Sequence, residues 1–182
     1  MSVTTARLAD MHWLHSTAES DHFQRVISEF GPALRRVAAS YEADPSLRED
    51  LFQEICLALW KALPSFRGEA SLKTFIYRIA HNRGLSHGWR EARRPTELEE
   101  PERVLDDRPS PERSAHASQR RRRLLAAIRR LPLSAREVLT LRLEGLSFQE
   151  IAEVTGLTEN NATVRASRAR QQLKKLLEED LA

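Results

Sequence analysis

Cysteine, glycine and aromatic residues are all scarce in this 182-residue chain, and each scarcity excludes something. The single cysteine, Cys56, leaves no internal disulfide and no cysteine-based zinc cluster. It lies in an apolar helical segment and reads as a small core hydrophobe rather than a reactive thiol. No glycine-rich phosphate loop, H-E-x-x-H or nucleophile–base arrangement occurs, so the chain is not expected to be an enzyme. His12, His15, His22, His81, His87 and His116 have no carboxylate or cysteine placed to complete a site, and neither metal nor cofactor is expected. No apolar run is long enough to cross a membrane. The N-terminus, interrupted by Arg7, Asp10 and His12, lacks the apolar core of a signal peptide, so a soluble cytoplasmic protein is expected. Strand-type alternation is nearly missing as well, which leaves an all-α fold of small helical modules.

Charge is what the chain has in quantity. Asp, Glu, Lys and Arg make up 30% of it, with a net charge of +3. The positive charge is concentrated in Arg90 to Arg94, Arg120 to Arg123 and Arg165 to Lys175, a distribution suited to a polyanionic partner. The four consecutive arginines fall at the start of a predicted helix, where the macrodipole disfavours them, a cost that hints at an anionic contact.

Helical patterns and turn signals divide the chain into an N-terminal tail (1–20), a first helical domain (21–94), a linker (95–118) and a second helical domain (119–182). In the first domain, turns are predicted at Asp44-Pro45 and from Pro64 to Gly68. Ser46 and Glu49 are expected to form a capping box, followed by a core stripe of Leu47, Leu51, Ile55, Leu59 and Leu63. Leu72, Phe75, Ile76, Ile79 and Ala80 supply the matching stripe of the third helix. The linker mixes Pro95, Pro101, Pro109 and Pro111 with many carboxylates and is too poor in apolar residues to offset its ordering entropy, so it is expected to be flexible. Ser134 and Glu137 are expected to cap the helix that follows Pro132.

The stretch from Leu146 to Leu173 reads as a helix-turn-helix. Ser147 and Glu150 form a capping box, Ala152 is small where two helices approach, Gly156 stops the first helix and Thr158 caps the second. Its groove-facing positions are Thr158, Glu159, Asn160, Thr163, Val164 and Ser167, with Arg165, Arg168 and Arg170 available for phosphates. Two further faces stand out. The second helix of the first domain places Asp50, Gln53, Glu54, Leu57 and Lys61 on one mainly polar stripe left for solvent or for a partner, with a solvated face the plainer reading. The third places Lys73, Tyr77, Arg78, His81, Asn82 and Arg83 beside its core residues, followed by Trp89, Arg90, Arg93 and Arg94. Cations for phosphates, rings for unstacked bases and an amide for a base edge suit single-stranded DNA. A solvated amphipathic surface, with Trp89 turned inward, is the plainer alternative for that helix.

Two stretches resemble one family. Asp50-Leu51-Phe52-Gln53-Glu54-Ile55-Cys56-Leu57-Ala58-Leu59-Trp60, with Phe66-Arg67-Gly68-Glu69 and Thr74-Phe75-Ile76-Tyr77-Arg78-Ile79-Ala80-His81-Asn82, is similar to region 2 of the extracytoplasmic-function sigma factors. Leu131-Pro132 through Arg170 resembles their region 4. The resemblance implies that Asp50, Gln53 and Glu54 contact the clamp helices of the RNA polymerase β′ subunit. It also implies that Phe66 and Asn82 hold a base flipped from the minus-10 element while Arg78 and Arg90 bind strand phosphates. Asn160, Thr163, Val164, Arg165, Ser167 and Arg168 would then engage the minus-35 duplex, with this domain seated on the β flap. The recognition helix departs from the family: Asn161 and Ala162 stand where Thr-Val is usual, and Thr163 and Val164 where a basic residue and Ser are usual. No promoter consensus is therefore carried over.

The reading is a two-domain, all-helical sigma factor that joins core RNA polymerase and directs it to a subset of promoters, with an anti-sigma factor as a further partner. Two rivals stay open. One is a helix-turn-helix regulator that binds duplex DNA alone, and the other is an interaction protein that sequesters a partner.

Overall fold

The computed structural model describes residues 6–91 and 112–180, and among these every regular element is helical. In chain order they are α1 (Ala6–Tyr41), α2 (Pro45–Ala62), a 3-10 turn (Leu63–Ser65), α3 (Leu72–Glu91), α4 (Glu112–Arg130), α5 (Leu133–Leu143), α6 (Phe148–Thr155) and α7 (Glu159–Glu179). The all-α expectation holds. Helix α1 begins within the segment expected as a tail, and α4 within the segment expected as a linker; residues 95–111 of that linker lie outside the described residues.

Two expected caps are corrected. Helix α2 is capped by Asp44, whose side chain accepts from the Leu47 N–H at 2.9 Å, with Pro45 in the first turn where no N–H is needed. Ser46 and Glu49 form no capping box, because the Glu49 carboxylate is held by Arg35 of α1. Helix α5 starts directly after Pro132, whose carbonyl accepts from Ala135 and Arg136 N–H, and it has no side-chain cap. A cap that sequence reasoning missed opens α3: Ser71 Oγ accepts from the Thr74 N–H at 3.0 Å.

In the first half, the α2 stripe is buried as its spacing predicts. Leu51, Ile55 and Leu59 are fully enclosed with Phe52, while Leu47 and Leu63 at the ends are only half-buried. Ile76 and Ala80 of α3 and Val26, Leu34 and Val37 of α1 complete this core. Each large aliphatic side chain so enclosed stabilises the fold by about 1.5–3 kcal/mol. Tyr41, at the end of α1, lays its ring over Gly84 of α3, the position where that helix can come closest. In the second half, Ala127 and Ile128 of α4 and Leu131 just after it pack with Leu139 of α5 and with Ala169 and Leu173 of α7.

The two halves are not separate bodies. Val138, Leu141, Leu146, Ile151, Val154, Ala162 and Ala166 belong to the same continuous core as α1, α2 and α3. Helix α6 lies on α3, and α4 and α5 lie on α1. Polar ties close the seam: Arg36 holds both oxygens of Glu144 at 2.8 and 2.6 Å, Lys73 Nζ donates to the Gly145 carbonyl at 2.8 Å, and Arg129 donates to the Ala39 carbonyl at 3.0 Å.

Candidate nucleic-acid interface

The helix-turn-helix is built as its sequence indicates. Ser147 Oγ accepts from the Glu150 N–H while the Glu150 carboxylate accepts from the Ser147 N–H, so both members of the box bond reciprocally. Gly156 ends α6 at φ 74°, a left-handed conformation that L side chains rarely adopt. Thr158 caps α7 through the Asn161 N–H. The close approach is made by α7 rather than by Ala152, which is half-buried: Ala162, Ala166 and Ala169 form the small, buried stripe, continued by Leu173. On a helical wheel this stripe is opposed by Asn160, Val164 and Ser167, with Thr163 and Arg168 flanking them, and all five are exposed. Arg165 is half-buried and close enough to oppose the rise that burial imposes on the Glu137 pKa, so it is turned partly toward α5. Ala162 departs from the usual family residue inside the core, whereas Thr163 and Val164 do so on the open face.

Helix α3 sorts its residues differently from the sequence reading. Tyr77 and His81 are buried and belong to the protein interior, not to a nucleic-acid face. Burial pushes the Tyr77 hydroxyl up to about 12 and the His81 imidazole down to about 4, and Nδ1 of His81 lies 3.1 Å from the Tyr41 hydroxyl. His87 is also enclosed, 2.7 Å from the Glu42 carboxylate. Arg78, Asn82 and Arg83 remain exposed, and Trp89 is 62% exposed rather than packed inward. Phe75, Arg78 and Asn82 fall on one stripe of α3. Phe66 packs its ring on Phe75 at 4.9 Å, which places it at one end of that stripe, about 10 Å along the axis from Asn82. Arg90 makes an ion pair with Glu54 at 2.8 Å, joining a residue expected on DNA to one expected on polymerase.

On α2, Asp50 and Gln53 are exposed beside Leu57, which is 54% exposed, and Trp60, whose ring edge meets Phe23. The arginine run 120–123 is exposed but lies in the middle of α4, whose N-terminus is at Glu112. The cost expected from the helix dipole does not arise there. Cys56 is half-buried beside the α1–α2–α3 core, and burial pushes its thiol pKa up, away from the reactive thiolate.

Two families match the two halves of the chain. The Sigma-70 region 2 family matches residues 26–94, and the Sigma-70 region 4 family matches residues 121–173. The RNA polymerase sigma-H factor of Pseudomonas aeruginosa is 30% identical over 166 residues, covering 86% of each chain. The ECF RNA polymerase sigma-E factor of Haemophilus influenzae is 32% identical over 134 residues, covering 68% of this chain and 71% of that one. The chain belongs to the extracytoplasmic-function sigma factors. As a sigma factor it joins RNA polymerase and directs it to promoters, which sets aside the regulator that acts alone. The fold agrees. The sigma factor RpoE of Bartonella quintana, solved with the anti-sigma factor NepR, superposes with a TM-score of 0.69 at 24% identity, covering 86% of this sigma factor and 97% of that chain. CnrH, solved with the cytosolic domain of CnrY, gives 0.65 at 24% identity over 91% and 95% of the two chains. Among the described residues of this sigma factor, no helix is long and apolar enough to cross a membrane.

Proposed function

We propose that this sigma factor divides promoter recognition between two surfaces, α3 with the preceding loop for the minus-10 strand and α7 for the minus-35 duplex. The first domain spans 21–94 and the second 119–182. The observation that carries the reading is the stripe of α3, on which Arg78 and Asn82 stand exposed in line with the Phe66–Phe75 ring pair. Phe66 and Asn82 capture an extruded base, by ring contact and by an amide on its edge. Arg78 and Arg90 hold strand phosphates, which requires Arg90 to exchange Glu54 for DNA. Extrusion costs a few kcal/mol, offset by stacking and hydrogen bonds in the pocket.

On α7, Asn160, Thr163, Val164 and Ser167 face base edges, and Arg165 and Arg168 hold phosphates. Thr163 already donates its hydroxyl proton to the Glu159 carbonyl at 2.9 Å, so toward a base it acts as acceptor or through its methyl group. Asp50, Gln53 and Glu54, with Leu57 between them, dock on the polymerase clamp. Catalysis belongs to the polymerase, the protein works in the cytoplasm, and an anti-sigma protein of the kind seen with RpoE controls it.

The test is transcription in vitro from genomic fragments with core polymerase, mapping start sites with and without this protein. New, specific start sites are expected. Asn82→Ala should impair open-complex formation more than closed-complex binding, and equal loss of both would overturn its melting role.

A further inference from the structure

We infer that the arginine run 120–123 of α4 is a further binding surface, one that takes the phosphates of single-stranded RNA, the transcript as it leaves the polymerase. The promoter reading gives this run no role. The inference goes beyond that reading and rests on it only for the assignment of the opened DNA strand to α3.

Exposure and pairing set the run apart from the other cations of the chain. Arg120, Arg121, Arg122 and Arg123 are all exposed, and the described side chains of α4 join a core only from Leu124 onward. At about 3.6 residues per turn, four consecutive side chains point to every side of a helix, so this turn of α4 stands open all round. No Asp or Glu lies three or four positions from any of the four, and among the described residues none of them has an ion-pair partner. Elsewhere the chain pairs its arginines. Arg130, at the end of the same helix, holds Asp180 at 3.0 Å, Arg36 holds Glu144 and Arg90 holds Glu54. Arg120 and Arg123, three positions apart, repel each other along the helix. An anionic partner converts that repulsion into charge-assisted hydrogen bonds.

The shape of the run selects the partner. A DNA duplex is stiff over about 150 base pairs and lies along one side of a helix, which leaves part of the ring unused. A single strand bends round the helix and reaches all four cations. Each of the four is arginine, whose flat guanidinium grips phosphate through a fork and stacks on unpaired bases, as an ammonium does not. A polymerase at work holds two single strands, the opened promoter strand and the transcript. The first has its own face on α3, with Phe66, Arg78 and Asn82, and the transcript is left for α4.

Two measurements on the full chain test this, with all four arginines replaced by glutamine or all four by lysine. Both replacements suit an exposed helix, and circular dichroism verifies the fold. The first measurement is the anisotropy of a fluorescein-labelled, random-sequence RNA of about 15 nucleotides, followed against salt. Each phosphate contact to a single strand contributes about 0.7 to the slope of log affinity against log salt, so four contacts contribute about 3. The glutamine variant should lose that share, and the lysine variant should keep it. Between 50 and 200 mM salt, values flagged here as roughly the usual range, the parent should lose about fiftyfold more affinity than the glutamine variant. An RNA slope unaltered by glutamine overturns the inference. A duplex of about 20 base pairs should show little change of slope, and a change as large as that for RNA would assign the run to duplex DNA instead. The second measurement reads the source of the strand. Core polymerase with this sigma factor transcribes with 4-thiouridine, complexes are halted at increasing transcript lengths, and photo-cross-links are mapped. Cross-links from the transcript to α4 are expected with the parent and lost with the glutamine variant, while the start sites stay the same. Transcript cross-links that bypass α4 overturn the inference. Absence of any specific start site with the parent would refute the promoter reading, whereas the RNA anisotropy would still decide the arginine surface.

Discussion

Gly84 and Gly88 lie one turn apart on α3, and the structure assigns them opposite responses to the same substitution. A Cβ at Gly84 would stand 2.5, 2.6 and 2.7 Å from Cε2, Cδ2 and Cζ of Tyr41, whereas at Gly88 it would meet nothing within 4 Å. Replacing a helical glycine by alanine stabilises by up to about 1 kcal/mol, because the unfolded chain loses conformational freedom. At Gly88 that gain should appear almost undiminished. At Gly84 the Tyr41 ring has to move, at an overpacking cost of about 1–3 kcal/mol. Its contact with His81 Nδ1, at 3.1 Å, is lost as the ring shifts, a further cost of about 1 kcal/mol. The balance is a net destabilisation of roughly 1–3 kcal/mol for Gly84→Ala, or several degrees in Tm for a chain of this size. Urea and thermal denaturation of the two single variants measure this directly. In a Tyr41→Leu background, where the ring is gone, Gly84→Ala should lose most of its penalty. Stabilisation by Gly84→Ala as large as that by Gly88→Ala would refute the packing of α1 on α3.

Three further outcomes are expected. The His81 imidazole is held at about 4 by burial against an ordinary 6.5, so the unfolded chain takes up a proton first as the pH falls. Its contribution to stability, on the order of 3 kcal/mol, is complete above about pH 6.5 and is lost progressively toward pH 4. Urea midpoints across that range should show a flatter slope for His81→Gln, and an unchanged slope would refute the assignment. Ser147→Ala removes one half of the capping box and should lower stability by about 1 kcal/mol, with α6 amides gaining the most hydrogen exchange; uniform exchange throughout would count against a local cap. Arg168→Ala should weaken minus-35 duplex binding evenly across sequences and reduce the salt dependence by about one phosphate contact. A change in base preference instead would make Arg168 a reader of sequence.

The features legible in the sequence are those decided by neighbours along the chain. The capping box at Ser147, the left-handed stop at Gly156 and the cap at Thr158 depend on residues within one turn of each other, and all three stand as read. The α2 stripe of Leu51, Ile55 and Leu59 follows from helical period alone. Reading failed where a partner distant in sequence took the side chain. Glu49 has the spacing of a cap but is held by Arg35, and Asp44 caps the helix instead. Tyr77 and His81 fall among basic residues on the α3 wheel, yet α1 covers them through Phe30 and Tyr41. No local signal marks Glu144 as the anchor of a seam, because its partner Arg36 lies 108 positions away.

By itself, the amino-acid order determined that this protein is helical, where its helix-turn-helix starts and stops, and that it resembles a sigma factor, since short-range hydrogen bonds, helical period and local motifs carry that information. Only the tertiary structure decided that the two halves share one core and that acidic α6 faces the cations of α3. Such contacts arise from the summed burial of many residues far apart in the chain, and no short stretch of sequence records that sum.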